Sequence, residues 1–142
     1  MIKDVMNLYE HQSSVNPNMP LRGLIYISML YQGYIEQNNL DIYSSTQLTL
    51  PAPKYLVFYN GTKAEPDRQE LRLSDSFVKR EEQPDLECRA VVLNINYGHN
   101  KKLMEACRKL YEYSRFVETI RGYLNTGMKL GAAMDQSIED CI

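Results

Sequence analysis

The chain has 142 residues, room for one domain with one core and too little for a catalytic domain beside an independent partner domain. Hydrophobic residues make up 44% and charged residues 24%, ordinary globular usage that sets aside disordered, collagen-like and low-complexity classes. Sixteen Lys plus Arg against eighteen Asp plus Glu leave a net charge of -2, so no overall positive field gathers nucleic acid and any DNA contact must be local.

Residues 5 to 12 suit a strand in which Met6, Leu8, Glu10 and Gln12 point one way and Val5, Asn7, Tyr9 and His11 the other. Ser13 to Pro20 read as a turn, with Asn18 placed to cap a helix beginning near Pro20. Apolar residues Leu24, Ile25, Tyr31, Tyr34 and Ile35 recur at helical spacing and predict a helix over 20–37. Lys54 to Tyr59 read as an interior strand stopped by Asn60-Gly61. Residues 60–86 form a charged surface excursion with a short strand candidate at 70–73, and residues 87–97 read as a further strand ended by Gly98. One helix is then expected over 100–124, with Leu103, Cys107, Leu110, Val117, Ile120 and Leu124 on a buried stripe, and a second over 128–141.

This order predicts an α/β class with a mixed sheet flanked by helices. Residues 1–142 are expected to form a single, incomplete domain, divided into a sheet core with a crossover helix over 1–97 and C-terminal helices over 98–142. No run of about 18 apolar residues is present, and the opening Met1-Ile2-Lys3-Asp4 lacks the apolar stretch of a secretory signal. The expectation is a cytoplasmic protein without a membrane partner. Cys88, Cys107 and Cys141 have neither paired spacing nor a framework rhythm and read as reduced thiols.

Glu10-His11-Gln12 is the triplet most suited to chemistry. Side chains at i and i+2 of a strand lie about 7 Å apart at Cα and point the same way, so Glu10 and Gln12 can converge on one metal-bound water or phosphate. The Glu10 carboxylate and the His11 carbonyl are oxygen donors of the kind hard cations accept. On spacing alone the triplet also suits a polar edge position near a strand end.

The longer string Glu10-His11-Gln12-Ser13-Ser14-Val15-Asn16-Pro17-Asn18-Met19-Pro20-Leu21-Arg22 resembles the stretch E-H-Q-S-x-x-N-P-N-M-P-x-R of the bacterial recombination-promoting nuclease and transposase family, within the PD-(D/E)xK nuclease superfamily. Lys54 to Thr62 and Leu93 to Asn100 resemble later segments of the same family in the same order. The resemblance implies a partial restriction-endonuclease-like core and a Mg2+-dependent (or Mn2+-dependent) DNA endonuclease of the recombination type. Glu10 matches the metal-binding glutamate, with the His11 carbonyl as a further metal ligand. Gln12 stands where most of the superfamily keeps lysine, so it can orient water or phosphate by hydrogen bonding but offers no charge.

The superfamily's first aspartate belongs on a strand preceding this one. Asp4 is the only upstream acid, and in a continuous strand its Cα lies about 20 Å from that of Glu10, too far to share one cation. The expectation is a version truncated at both ends, with reduced or no activity on its own. The alternative is a non-catalytic DNA-contacting or self-associating module.

Arg22, early in the first helix, suits a phosphate or a surface salt bridge. Lys101, Lys102 and Arg108 begin a locally basic helical region continued by Lys109, Arg115 and Arg121. It suits DNA backbone contact or, interleaved with Glu105, Glu112 and Glu118, an ion-paired solvated face that includes Glu105 with Lys109. His99 after Gly98, at a strand end where loops often carry function, suits a functional role or a turn or cap. A sheet edge left open by missing strands predicts a homodimer.

Overall fold

A computed structural model of the chain describes residues 5–141. Among them the order is β1 (Val5–Gln12), α1 (Met19–Gln37), β2 (Ala52–Tyr59), β3 (Arg68–Arg72), a 3-10 turn at Leu73–Ser76, β4 (Arg89–Asn94), α2 (Lys101–Ala106), α3 (Arg108–Asn125) and α4 (Leu130–Cys141). The strands form one four-stranded sheet in the order β1-β2-β4-β3. β1, β2 and β4 run parallel, and β3 lies antiparallel to β4 at the far edge. The fold is α/β with a mixed sheet.

Alternation along β1 sets which way it faces. Exposed and half-buried residues alternate without a break from Val5 to Gln12, putting Met6, Leu8, Glu10 and Gln12 on the inner face. In β2 the inner positions Tyr55, Val57 and Tyr59 are all buried, and Ala90 and Val92 continue the same layer in β4. α1 supplies Met19 and Ile27 to this core, and Met6, Leu8, Val15, Tyr31, Leu71 and Cys88 pack around it. Gly23 of α1 sits directly on the Tyr55 ring, where a Cβ would overlap Tyr55 Cε1 and Cδ1, so glycine is what lets the helix approach the sheet this closely.

The predicted helix over 20–37 is present, but its start is built differently. The Asn18 side chain makes no cap; the Asn18 N–H donates to Asn16 Oδ1 (2.9 Å) and the Met19 N–H to the Asn16 carbonyl (3.1 Å). Within α1 the buried positions are Met19, Pro20, Gly23 and Ile27, whereas Ile25 from the expected stripe is exposed.

The single helix expected over 100–124 is two. Cys107 is extended at φ -130°, ψ 91°, and separates α2 from α3. The break carries Met104 of α2 into a buried position against Ser114 of α3, whose hydroxyl lies 3.9 Å from Met104 Sδ. Cys107 and Leu124, expected on the buried stripe, are exposed, and Ser114 is the buried residue of α3. The strand predicted over 87–97 spans only Arg89–Asn94, because after Ile95, whose N–H still donates to the Tyr59 carbonyl, Asn96 to Asn100 form a turn stitched by side chains.

α1 covers the inner face. α3 meets the sheet at its strand ends, where Tyr113 packs edge-on against His11 and accepts a hydrogen bond from Asn60 Nδ2, and Arg121 donates to the Asn60 carbonyl. On the outer face Tyr9 stacks on Phe58 with ring centroids 5.9 Å apart. No helix among the described residues is long and apolar enough to cross a membrane.

Candidate active site

Glu10 and Gln12 lie near the C-terminal end of β1, the end from which the chain passes into α1. In a parallel sheet this is the end where crossover loops leave open space for ligands. Glu10 sits inward beside the first turn of α1, with its side chain only 14% exposed. Its Oε1 lies 3.8 Å from Arg22 Nη2, while its Oε2 is buried without a hydrogen-bond partner. The Tyr55 hydroxyl, on the neighbouring strand, is also buried and faces the Glu10 carboxylate, without a hydrogen bond of full geometry. Burial first, and the Glu10 charge second, push the Tyr55 phenol far above its usual range, so it stays protonated and available as a donor.

Gln12 shares the Glu10 face, and its side chain makes no hydrogen bond among the described residues. Its own carbonyl accepts from the Asn60 N–H (3.1 Å), so the Gln12 backbone points toward β2. In a parallel ladder alternate residues point to opposite sides, which turns the His11 carbonyl outward to the edge of β1 that carries no partner strand. The His11 ring lies on the other face, 6.2 Å from the Tyr113 ring. Glu10, His11 and Gln12 thus offer a carboxylate and an amide inward and a carbonyl on the open edge.

A hard divalent cation takes about six oxygen ligands, and Mg2+ commonly keeps several waters beside one or two carboxylates. One unsatisfied carboxylate oxygen and an edge carbonyl supply two of about six such ligands. Among the described residues no group of three His, Cys, Asp or Glu gathers in one place. Asp4 lies outside the described residues.

Arg22 takes the salt-bridge role considered for it, with Glu10 as partner, and its guanidinium also reaches Met19 Sδ at 3.5 Å. Lys101 and Lys102 are exposed on α2 and form no ion pair among the described residues. Arg108 is exposed at the start of α3, and its Nε donates to Glu112 Oε1 at 2.7 Å. The ion pair on this face is therefore Arg108 with Glu112; Glu105 and Lys109 form none among the described residues.

The sequence reading missed a polar network at the ends of β2 and β4. Buried Asn94 donates from Nδ2 to the Glu65 carbonyl (2.8 Å) and accepts at Oδ1 from the Asn96 N–H and Nδ2. Asn96 Nδ2 donates also to the Gly61 carbonyl, and Asn96 Oδ1 accepts from Arg121 Nη1 at 2.7 Å. Asn100, left-handed at φ 48°, donates from Nδ2 to the carbonyls of Asp67 and Asn94, both at 2.7 Å. His99 Nδ1 lies 2.7 Å from Asp67 Oδ1, and the Asn100 N–H donates to Asp67 Oδ2. These bonds, the His99 contact foremost, hold the Asp67 carboxyl below its usual range. The signal was legible as Asn94-x-Asn96-x-Gly98-His99-Asn100, a spacing dense in side chains that bond to nearby backbone.

No family model, curated protein or solved structure matches this chain.

Proposed function

We propose that this chain is a DNA-processing domain of the metal-dependent endonuclease type, with Glu10 as the carboxylate that holds Mg2+ or Mn2+. The observation that carries the reading is Glu10 itself: a nearly buried carboxylate with one oxygen unsatisfied, at the ligand-accepting end of a parallel crossover unit. Burying a carboxylate oxygen without a partner is costly, and a bound cation would remove that cost.

The surrounding residues suit the same chemistry. The His11 carbonyl is the second oxygen donor, Gln12 orients water or phosphate through its amide, and Arg22 stands ready for the negative charge of a phosphodiester. When bound, the cation supplies polarisation of the phosphoryl oxygen and acidification of water. The resemblance of residues 10–22 to the recombination-promoting nuclease and transposase family supports this reading, as does the parallel β1-α1-β2 unit expected of a partial restriction-endonuclease-like core.

Nicking of supercoiled plasmid in Mg2+ or Mn2+, lost in Glu10→Ala, is the expected result. An absence of nicking by the folded chain favours the second reading, a non-catalytic DNA-contacting or self-associating module. One observation specifically supports that second reading: Arg22 already pairs with Glu10, and among the described residues no group of three His, Cys, Asp or Glu includes it. For self-association, the outer edge of β1 carries no strand among the described residues and suits pairing with a second copy. A dimer by light scattering supports this, and a monomer removes it.

A further inference from the structure

The turn after β4 and the α2-α3 pair line an open cavity of about 520 Å³ that the Glu10 site does not use. This volume is of the size that takes a small ligand. Buried Met104 forms its apolar floor, with Ser114 beside it. Two tyrosines wall it: Tyr97 and Tyr111 lie with ring centroids 6.1 Å apart and planes at 45°, and they remain 49% and 39% exposed. At this separation the two rings contact each other as a tilted pair, and each keeps exposed surface beside the cavity. Neither hydroxyl has a hydrogen-bond partner among the described residues.

The rim is chemically distinct from the floor. Lys101 and Arg108 line it as cations, Lys101 forms no ion pair, and Arg108 spends only Nε on Glu112. His99 lines it too, and because Asp67 holds its Nδ1, its orientation is fixed and Nε2 is the nitrogen left for a ligand. Glu105 on the same rim can accept a hydrogen bond from an exocyclic amino group. An apolar slot with aromatic walls, two cations and one carboxylate acceptor matches a flat, amino-bearing heteroaromatic ring joined to an anion.

We infer that this cavity is a subsite for one unpaired nucleotide of a DNA strand, its base against Tyr97 and Tyr111 and its phosphate toward Lys101 and Arg108. The choice of DNA as the polymer rests on the function proposed above. A base within a duplex is stacked on both sides and cannot offer its face to the tyrosines, so the subsite discriminates single-stranded from double-stranded segments.

Fluorescence anisotropy of a labelled dC-rich oligonucleotide tests this, with the full chain as wild type, Tyr97→Leu, Tyr97→Phe and Lys101→Ala. Tyr97 is half exposed, and circular dichroism verifies that each variant is folded. Tyr97→Leu is expected to weaken single-strand binding by about 5- to 100-fold, the scale of one lost base stack, while Tyr97→Phe binds as wild type. Lys101→Ala is expected to lower the salt dependence by about one phosphate contact. Duplex of the same sequence should bind independently of Tyr97. Equal binding of single strands by wild type and Tyr97→Leu overturns the subsite, as does binding of free dCMP without binding of the oligonucleotide. The two proposals separate: a chain that binds single strands through Tyr97 yet nicks no plasmid keeps the subsite and loses the catalytic reading. One that nicks plasmid but binds single strands without regard to Tyr97 loses the subsite alone.

Discussion

Arg22 Nη2 lies 3.8 Å from Glu10 Oε1, so the carboxylate proposed to hold a cation already has a cationic neighbour. A guanidinium and a divalent ion compete for the same negative charge. Arg22→Gln is therefore expected to tighten Mn2+ binding measured by calorimetry and, in the same protein, to weaken DNA binding through loss of a phosphate-seeking group. Weaker Mn2+ binding in Arg22→Gln would show that Arg22 positions Glu10 instead of competing at it.

Two glycines of α1 should respond oppositely to the same change. At Gly23 a new Cβ meets the Tyr55 ring, and Gly23→Ala is expected to cost about 1–3 kcal/mol, the usual price of overpacking. At Gly33 nothing lies within 4 Å, and Gly33→Ala is expected to stabilise by about 0.5–1 kcal/mol through helix propensity. Urea midpoints of the two variants check this, and a neutral Gly23→Ala would mean that α1 does not rest on Tyr55 as described.

Stability should fall on the acid side. Glu87 Oε1 accepts from the Ser74 and Cys88 N–H groups, both at 3.1 Å, and the bonding to Ser74 leads in holding its carboxyl below the ordinary 4.5. A carboxylate lowered in the folded state contributes stability above its unfolded value and loses it as pH falls through the folded one. Asp67, lowered by His99 and Asn100, adds in the same direction below 3.8. Glu87→Gln should thus be less stable than wild type at pH 7, with the difference shrinking below about pH 4.5 as wild-type Glu87 protonates. A constant difference across that range in denaturant titrations would contradict the assignment.

Thiol reactivity should separate two of the cysteines. Cys107 is exposed at the break between α2 and α3, whereas Cys88 is half-buried, with its thiol pushed up first by burial and then by Glu87. A thiol-specific reagent is expected to modify Cys107 well before Cys88 by mass spectrometry after digestion.

Much of the first half of the fold was legible because burial there follows a simple period. The alternation from Val5 to Gln12 put Glu10 and Gln12 on one face, and Lys54 to Tyr59 read as an interior strand. The C-terminal region was less readable. Cys107 is neither glycine nor proline, so nothing local marks the helix break, which follows from the fit of Met104 to Ser114. Likewise Leu93 to Asn96 alternates like a strand, yet Asn94 and Asn96 turn their amides to Glu65, Gly61 and Arg121, partners 29, 35 and 25 residues away. The link between Asp67 and His99, 32 residues apart, is of the same long-range kind.

Whether Glu10 holds a divalent cation is measured by a Mn2+ titration followed by electron paramagnetic resonance, on wild type and on Glu10→Gln. Glu10→Gln keeps the side-chain volume while removing the charge and exchanging one carboxylate oxygen for an amide NH2, which cannot ligate the ion. Wild type is expected to take up Mn2+ at one site per chain, with loss of the free-ion signal, and Glu10→Gln to have no such site. Equal Mn2+ uptake by both proteins, or none by the folded wild type, would contradict it.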